Sequence, residues 1–254
     1  MANDAGGKIL VLGWTAAALG VVISTAIAAG AWKEVKTKPP ERSIEVTGAA
    51  KKRIVSDLIE WSARIETRNP DRVEAYRALK DNVEKTLSWL VSQGMPKEKI
   101  RVSSARTDEE FETVYEGVAE ERIQRRRFVG YEMSQTVSIR STDVEKVERI
   151  SREVTQLIEQ GVSISSYDPS YYYTRLGELK IEMLAAASAD ARSRAEKIVD
   201  KAGKSTLGRL LDADMGVINV NPANSTDTSW QGNNDTSSLE KDIITIVHAT
   251  FELK

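Results

Sequence analysis

Leu176–Gly203 reads LGELKIEMLAAASADARSRAEKIVDKAG, and the rest of the chain is organised around it. Apolar or small residues recur at Leu176, Leu179, Met183, Ala187, Ala191, Ala195, Ile198 and Ala202. Steps of three and four are the period of one helix face. No proline interrupts the run, and Gly203 stands where a left-handed cap would end it. Alanines fill the middle of the stripe, so the helix backbone can lie close to whatever it covers, and a sheet is the expected partner. Asp190, Arg192, Arg194, Lys197 and Lys201 fall on the other side, with Asp190 and Arg194 spaced as a favourable i,i+4 pair. This is a scaffold helix with a solvated face.

Upstream of it, DLIEWSARIET alternates Ile59, Trp61, Ala63 and Ile65 on one strand face. Asn69-Pro70 then opens a helix carrying Val73, Tyr76, Leu79, Val83, Leu87 and Leu90, which Gly94 and Pro96 end. Ile100–Thr107 and Phe128–Arg140 are strands. Between them Asp108–Arg127 runs from seven acidic residues to four arginines, as a long hairpin loop or a short charged helix. Thr142 caps a helix with Val144, Val147, Ile150, Val154, Leu157 and Ile158, stopped by Gly161. Val162–Thr174 returns as a strand with Pro169 at an edge or bend. The order β-α-β-β-α-β is the ferredoxin-like split arrangement, two helices on one face of an antiparallel sheet. The strand at Ser43–Ala50, the long helix and strands at Leu207–Asp214, Gly216–Val220 and Ile243–Leu253 extend or flank that core. Asn221–Ser238 is polar and reads as a mobile loop. The expected class is α+β, an antiparallel or mixed sheet in two subdomains of one continuous unit.

Residues Ile9–Trp32 hold no charge over 24 positions, against roughly 20 for a helix crossing a bilayer. A transmembrane anchor over residues 9–32 is the expectation, after a short tail at 1–8 and before a Pro-containing linker at 33–42. A cleaved signal ending at Ala29-Gly30-Ala31 is the alternative. Ala16, Gly20, Ser24 and Ala28 repeat every four residues and could pack helix on helix in the membrane. Lys33, Lys36, Lys38 and Arg42 on the C-terminal flank argue, by the positive-inside rule, against export.

Several pieces taken together resemble the SIMPL-domain family of bacterial envelope proteins, a domain of unknown function related to periplasmic immunogenic proteins. They are SIEVTGAAKKRIVSDLIEW from Ser43, LVSQGMPKEKIRVSS from Leu90, FVGYEMSQTVSIRSTDVEKV from Phe128, AAASADARSRAEKIVDKAG from Ala185, and LGRLL from Leu207. The resemblance covers Ser43 to Lys254. It implies a protein anchored in the inner membrane with its domain in the periplasm, or secreted there after cleavage. It also implies oligomers and, in some relatives, a part in envelope or oxidative stress resistance. It supplies no active site.

The residues themselves offer little chemistry. The net charge is −2, so bulk electrostatics favour no nucleic acid. There is no cysteine and a single histidine, His248, which excludes thiolate sites and gives a triad no obvious centre. Gly203-Lys204-Ser205-Thr206 resembles the end of a phosphate loop, but the earlier glycine is replaced by Ile198 and the piece follows a helix instead of preceding one. Asp212 and Asp214 are too few oxygen ligands for a hard cation. No cofactor, metal or catalytic residue is therefore expected, and the protein reads as a non-enzymatic envelope module; a hydrolase or ligand-binding enzyme without a visible motif is the alternative. The expected contact residues are Tyr171, Tyr172 and Tyr173 on one edge strand, and Ile244 and Ile246 on the reverse face of the last strand. A homo-oligomer is expected through them.

Overall fold

The computed structural model describes residues 20, 23–30, 32, 42–116, 123–203 and 205–254. Contacts divide the chain into two units: Thr47–Arg192 with Asp214–His248, and Met1–Val46 with Ser193–Ala213 and Ala249–Lys254.

The larger unit holds a six-stranded sheet. Its strands are β2 (Leu58–Asn69), β3 (Ile100–Val102), β4 (Arg106–Glu116), β5 (Ile123–Ser141), β6 (Ile164–Ser166) and β7 (Ser170–Tyr172). The order is β3-β5-β2-β6, with β4 beside β5 and β7 beside β2, and every pairing is antiparallel. Counting only β2, β3, β5 and β6, the second, third, first and fourth strands lie side by side, which is the split arrangement expected from the sequence. Helices α1 (Arg72–Ser92) and α2 (Val144–Glu153) pack on one face. Ile59, Trp61, Ala63 and Ile65 point into that layer with Leu79, Val83, Leu90, Val137, Ile139, Val147 and Ile150. The opposite face of the sheet is polar: Glu60 stands opposite Arg140, Ser62 opposite Ser138 and Arg68 opposite Glu132.

Several local expectations are corrected. Asp71, not Asn69, caps α1, accepting from the amides of Val73 and Glu74; Asn69 in turn accepts from the Asp71 amide. Val73 and Tyr76 are exposed, and Ala75 takes the buried place in the first turn, where the Thr67 hydroxyl donates to its carbonyl. Asp143, not Thr142, caps α2. That helix tightens into a 3-10 turn over Val154–Gln160, closed by left-handed Gly161 at φ 80°. Val162–Thr174 forms two short strands instead of one, because Pro169 between them has no amide to give a ladder. Over its described residues the charge block is strand: it forms most of β4 and the start of β5, paired from Arg106–Ser134 to Glu116–Ile123, and residues 117–122 lie outside the described residues.

The same unit also holds most of β1 (Ser43–Val55), α3 (Leu176–Ala202), the end of β8 (Leu207–Pro222) and the start of β9 (Glu240–Leu253). Ile54, Leu179, Met183, Val220 and Ile243 form its second core. β1, β9 and β8 lie in that order in a three-stranded sheet. The two pieces read as Leu207–Asp214 and Gly216–Val220 are one strand.

In the smaller unit, Ala195 and Val199 of α3 are buried with Val46, Ala249 and Phe251. The Thr206 and Lys254 amides each donate to the other's carbonyl, at 2.8 and 2.9 Å. The helix stripe ends on Val199, with Ile198 exposed: a step of three and a step of four from Ala195 are both helical, and spacing alone does not choose. Gly203 is exposed and does not adopt the left-handed conformation expected of a cap.

Of the anchor expected at residues 9–32, residues 20, 23–30 and 32 are described, and they are helical and exposed. Gly20, Ser24 and Ala28 are among them; Ala16 lies outside the described residues, as do the tail and nearly all of the linker. Among the described residues no helix is long and apolar enough to cross a membrane.

Candidate interaction surface

The polar loop between β8 and β9 is braced from beneath by buried side chains. Asn219 and Asn221 lie two residues apart on β8, so they share a strand face, and both are buried. The Asn219 carboxamide oxygen accepts from the amides of Ser229 and Asn233, each at 3.0 Å. The Asn233 side chain donates to that of Asn221 at 2.9 Å, and the Asn221 side-chain Nδ2 donates to the Asp227 carbonyl. The expectation of a mobile loop came from its composition; the same asparagines and serines supply the bonds that fix it.

At the base of the loop, Lys241 is 2% exposed and donates through Nζ to the carbonyl of Asp235 at 2.7 Å and to its carboxylate at 3.3 Å. Burial pulls Lys241 below the ordinary lysine range, and Asp235 only partly restores it. Burial also works against ionisation of Asp235, but donors from Ser237 and Ser238 and the Lys241 charge outweigh it and hold the carboxyl at about 2. Asp242, 1% exposed, accepts from Arg53 at 2.9 and 3.1 Å, from Lys51 at 3.0 Å and from the Asn224 amide at 2.8 Å. The Arg53 hydrogen bond is the main reason its carboxyl lies far below the usual range. Asn224 holds φ 68°, a left-handed conformation that asparagine tolerates.

This framework presents Trp230, 95% exposed, between the pinned residues Ser229 and Asn233. An exposed indole on a braced backbone is a candidate surface for contact. Sequence reasoning passed over Trp230; one tryptophan amid small polar residues was the available signal. Asn219→Ala removes the acceptor of two loop amides, which should loosen the loop by about 2 kcal/mol. Chymotryptic cleavage after Trp230 should accelerate about tenfold or more; an unchanged rate would place the bracing elsewhere.

The tyrosines expected at an interface are partly committed within the chain. Tyr171 pairs with Ile59 in the β2–β7 ladder, its amide donates to the Thr236 carbonyl at 2.7 Å, and its hydroxyl donates to Glu148 at 2.6 Å. Burial, with the Glu148 bond, pushes that phenol up to about 12. Tyr173 packs on the second core, and Tyr172 is 36% exposed. Ile244 and Ile246 are half-buried.

His248 is half-buried and bonds the Thr47 hydroxyl at 3.0 Å. On the polar face of the six-stranded sheet, a cavity of about 340 Å³ is lined by Glu60, Arg101, Arg140 and Asp168, with Glu60 and Arg140 paired at 3.1 Å. At Thr47–His248 a hydroxyl meets an imidazole, but among the described residues no third side chain is bonded to the ring to orient it. Among the described residues no group of three or more acidic or histidine side chains is placed to hold a metal ion. Asp212 and Asp214 are exposed.

A family model described as SIMPL, protein of unknown function (DUF541), matches residues 44–244. The chain belongs to the SIMPL family. The matched region takes in the braced loop, the polar sheet face and β4 with its partner strand, so each lies within the SIMPL domain. No curated protein matches the chain.

Proposed function

We propose that this SIMPL protein is a non-enzymatic module of the cell envelope, anchored through residues 9–32 with the domain in the periplasm, that works by binding copies of itself and other proteins. The observation that carries this reading is the loop framework: buried Asn219, Asn221, Lys241 and Asp242 have their polar groups committed to holding one loop, and that loop displays Trp230. Polar groups buried in a fold and fully hydrogen-bonded fix its shape; a shape fixed around an exposed indole serves recognition. Tyr172, Ile244 and Ile246 are further contact candidates, and stress resistance is the physiological setting that membership of the family suggests. The uncharged run at residues 9–32 supports the anchor by its length.

Two measurements on the full chain test this. Protease added to spheroplasts should digest the domain, and full protection would overturn the periplasmic orientation. A photo-cross-linker at Gln231, beside Trp230, should give discrete adducts in intact cells that Trp230→Ala abolishes. Absence of adducts would overturn the loop as a contact surface.

A further inference from the structure

β4 and the first part of β5 form a two-stranded arm. The β2 ladder on β5 begins at Tyr131, so Ile123–Gly130 of β5 pair with β4 alone among the described strands. β4 has no strand on its outer side over its described length. Neither long edge of the arm has a further strand paired to it among the described residues, and a two-stranded ribbon is marginal by itself in water.

The arm also carries exposed apolar and aromatic residues among its charges. Phe111 and Phe128 are opposed in the ladder and meet edge to face at 5.8 Å, and Phe128 meets Tyr131 at 5.1 Å. Yet Phe111, Tyr115, Phe128 and Val129 remain 41%, 59%, 43% and 38% exposed. The Arg126 guanidinium lies 4.5 Å from the Phe111 ring centre.

The two edges have opposite charge. β4 carries Asp108, Glu109, Glu110 and Glu112, whereas the facing part of β5 carries Arg125, Arg126 and Arg127. Charges on an open edge keep like edges apart. Here the two edges of one arm are of opposite sign, so the β4 edge of one copy complements the β5 edge of another. The pairs made within the chain, such as Arg127 with Glu112 and Arg106 with Asp108, are exposed; such pairs contribute little and can be exchanged.

We infer that the arm joins copies of this protein head to tail, the acidic β4 edge of one copy lying along the basic Ile123–Gly130 edge of β5 in the next, with the Phe111–Phe128 face covered in the process. This rests on the self-association proposed above and specifies its surface. Because the two surfaces differ, the contact is heterologous and builds rings or filaments, not a closed two-fold dimer. Strand addition supplies the backbone bonds, and charge selects the partner edge.

Charge reversal tests it on the full chain in detergent, by sedimentation at micromolar concentration. Glu109→Lys with Glu110→Lys and Glu112→Lys makes both edges basic; Arg125→Glu with Arg126→Glu makes both acidic. Each variant alone should need at least about tenfold more protein to assemble than the wild type does. An equimolar mixture should assemble again, since each variant then meets an edge of opposite sign. Damage to the fold would not be repaired by mixing. Wild-type assembly with variants that match it, or a mixture that stays dissociated, overturns the arm contact and leaves self-association standing. A wild-type chain that is monomeric throughout overturns self-association itself.

Discussion

Gly48→Ala should lower the melting temperature by about 10 °C, and Gly48→Val should leave little folded protein. A Cβ at position 48 would lie 2.2 Å from the Ala187 carbonyl oxygen, 2.4 Å from the Ala191 amide and 2.7 Å from the Ala191 Cβ. Two of those atoms belong to the backbone of α3 and cannot turn aside. The next residue fixes the same contact, because the Ala49 amide donates to Asp190 at 2.9 Å. Overpacking costs about 1–3 kcal/mol where side chains can adjust; with backbone in the way, about 3 kcal/mol is the lower bound for alanine. At this chain length each kcal/mol shifts the midpoint by roughly 2–4 °C. Gly177→Ala is the control: nothing lies within 4 Å of its would-be Cβ, and replacing a helical glycine should stabilise by roughly 0.5–1 kcal/mol. Circular dichroism melts of the three variants decide it. A Gly48→Ala protein melting within 2 °C of wild type, a margin of about 1 kcal/mol, would refute the close approach of β1 and α3.

The alanines of α3 announced that approach in the sequence, because Ala187 and Ala191 leave room for a strand; Gly48 as the matching half was not legible, since nothing local demands a glycine there. The split β-α-β-β-α-β order was legible for a similar reason. β2 alternates cleanly, with Ile59, Trp61, Ala63 and Ile65 buried on one face, and one covered sheet face imposes that period. β4 has no covered face, so Asp108–Glu112 shows no alternation to read and its strand character was lost among the charges. Helix caps failed by one or two residues, at Asp71, where Asn69 competes in sequence and bonds the cap amide, and at Asp143, where the adjacent Thr142 competes in sequence.

The contact surfaces were less legible than the fold. Tyr171–Tyr173 stood out as three aromatics in a row, but strand alternation sends their side chains to different faces, and of the three only Tyr172 is exposed, at 36%. Trp230 was hidden by the assumption that a polar loop is loose. Bonds between Asn219 and Ser229, or Lys241 and Asp235, connect residues whose proximity depends on the β8–β9 register, and composition carries no register.

Acid should expose that framework. The Asp242 and Asp235 carboxyls are both held below the ordinary value near 4, Asp235 at about 2. A carboxyl depressed in the folded state adds stability that is complete above its unfolded value and is lost as pH falls through the folded one. The unfolded chain binds protons first, so stability should fall from about pH 4 downward and continue falling past pH 2. Asp235 alone should account for roughly 2–3 kcal/mol of that loss. Asp242→Asn keeps the shape of the side chain but removes the charge that Arg53 and Lys51 approach at 2.9 and 3.0 Å. With the buried member of the cluster neutralised and its two cations about half exposed, the variant should lose about 2 kcal/mol at pH 7. It should also lose less than the wild type on acidification, so that the two stability curves converge toward pH 2. Urea unfolding at pH 7, 4 and 2 measures both effects. Parallel curves, with the wild-type advantage undiminished in acid, would show that the Asp242 charge is not what holds the base of the loop.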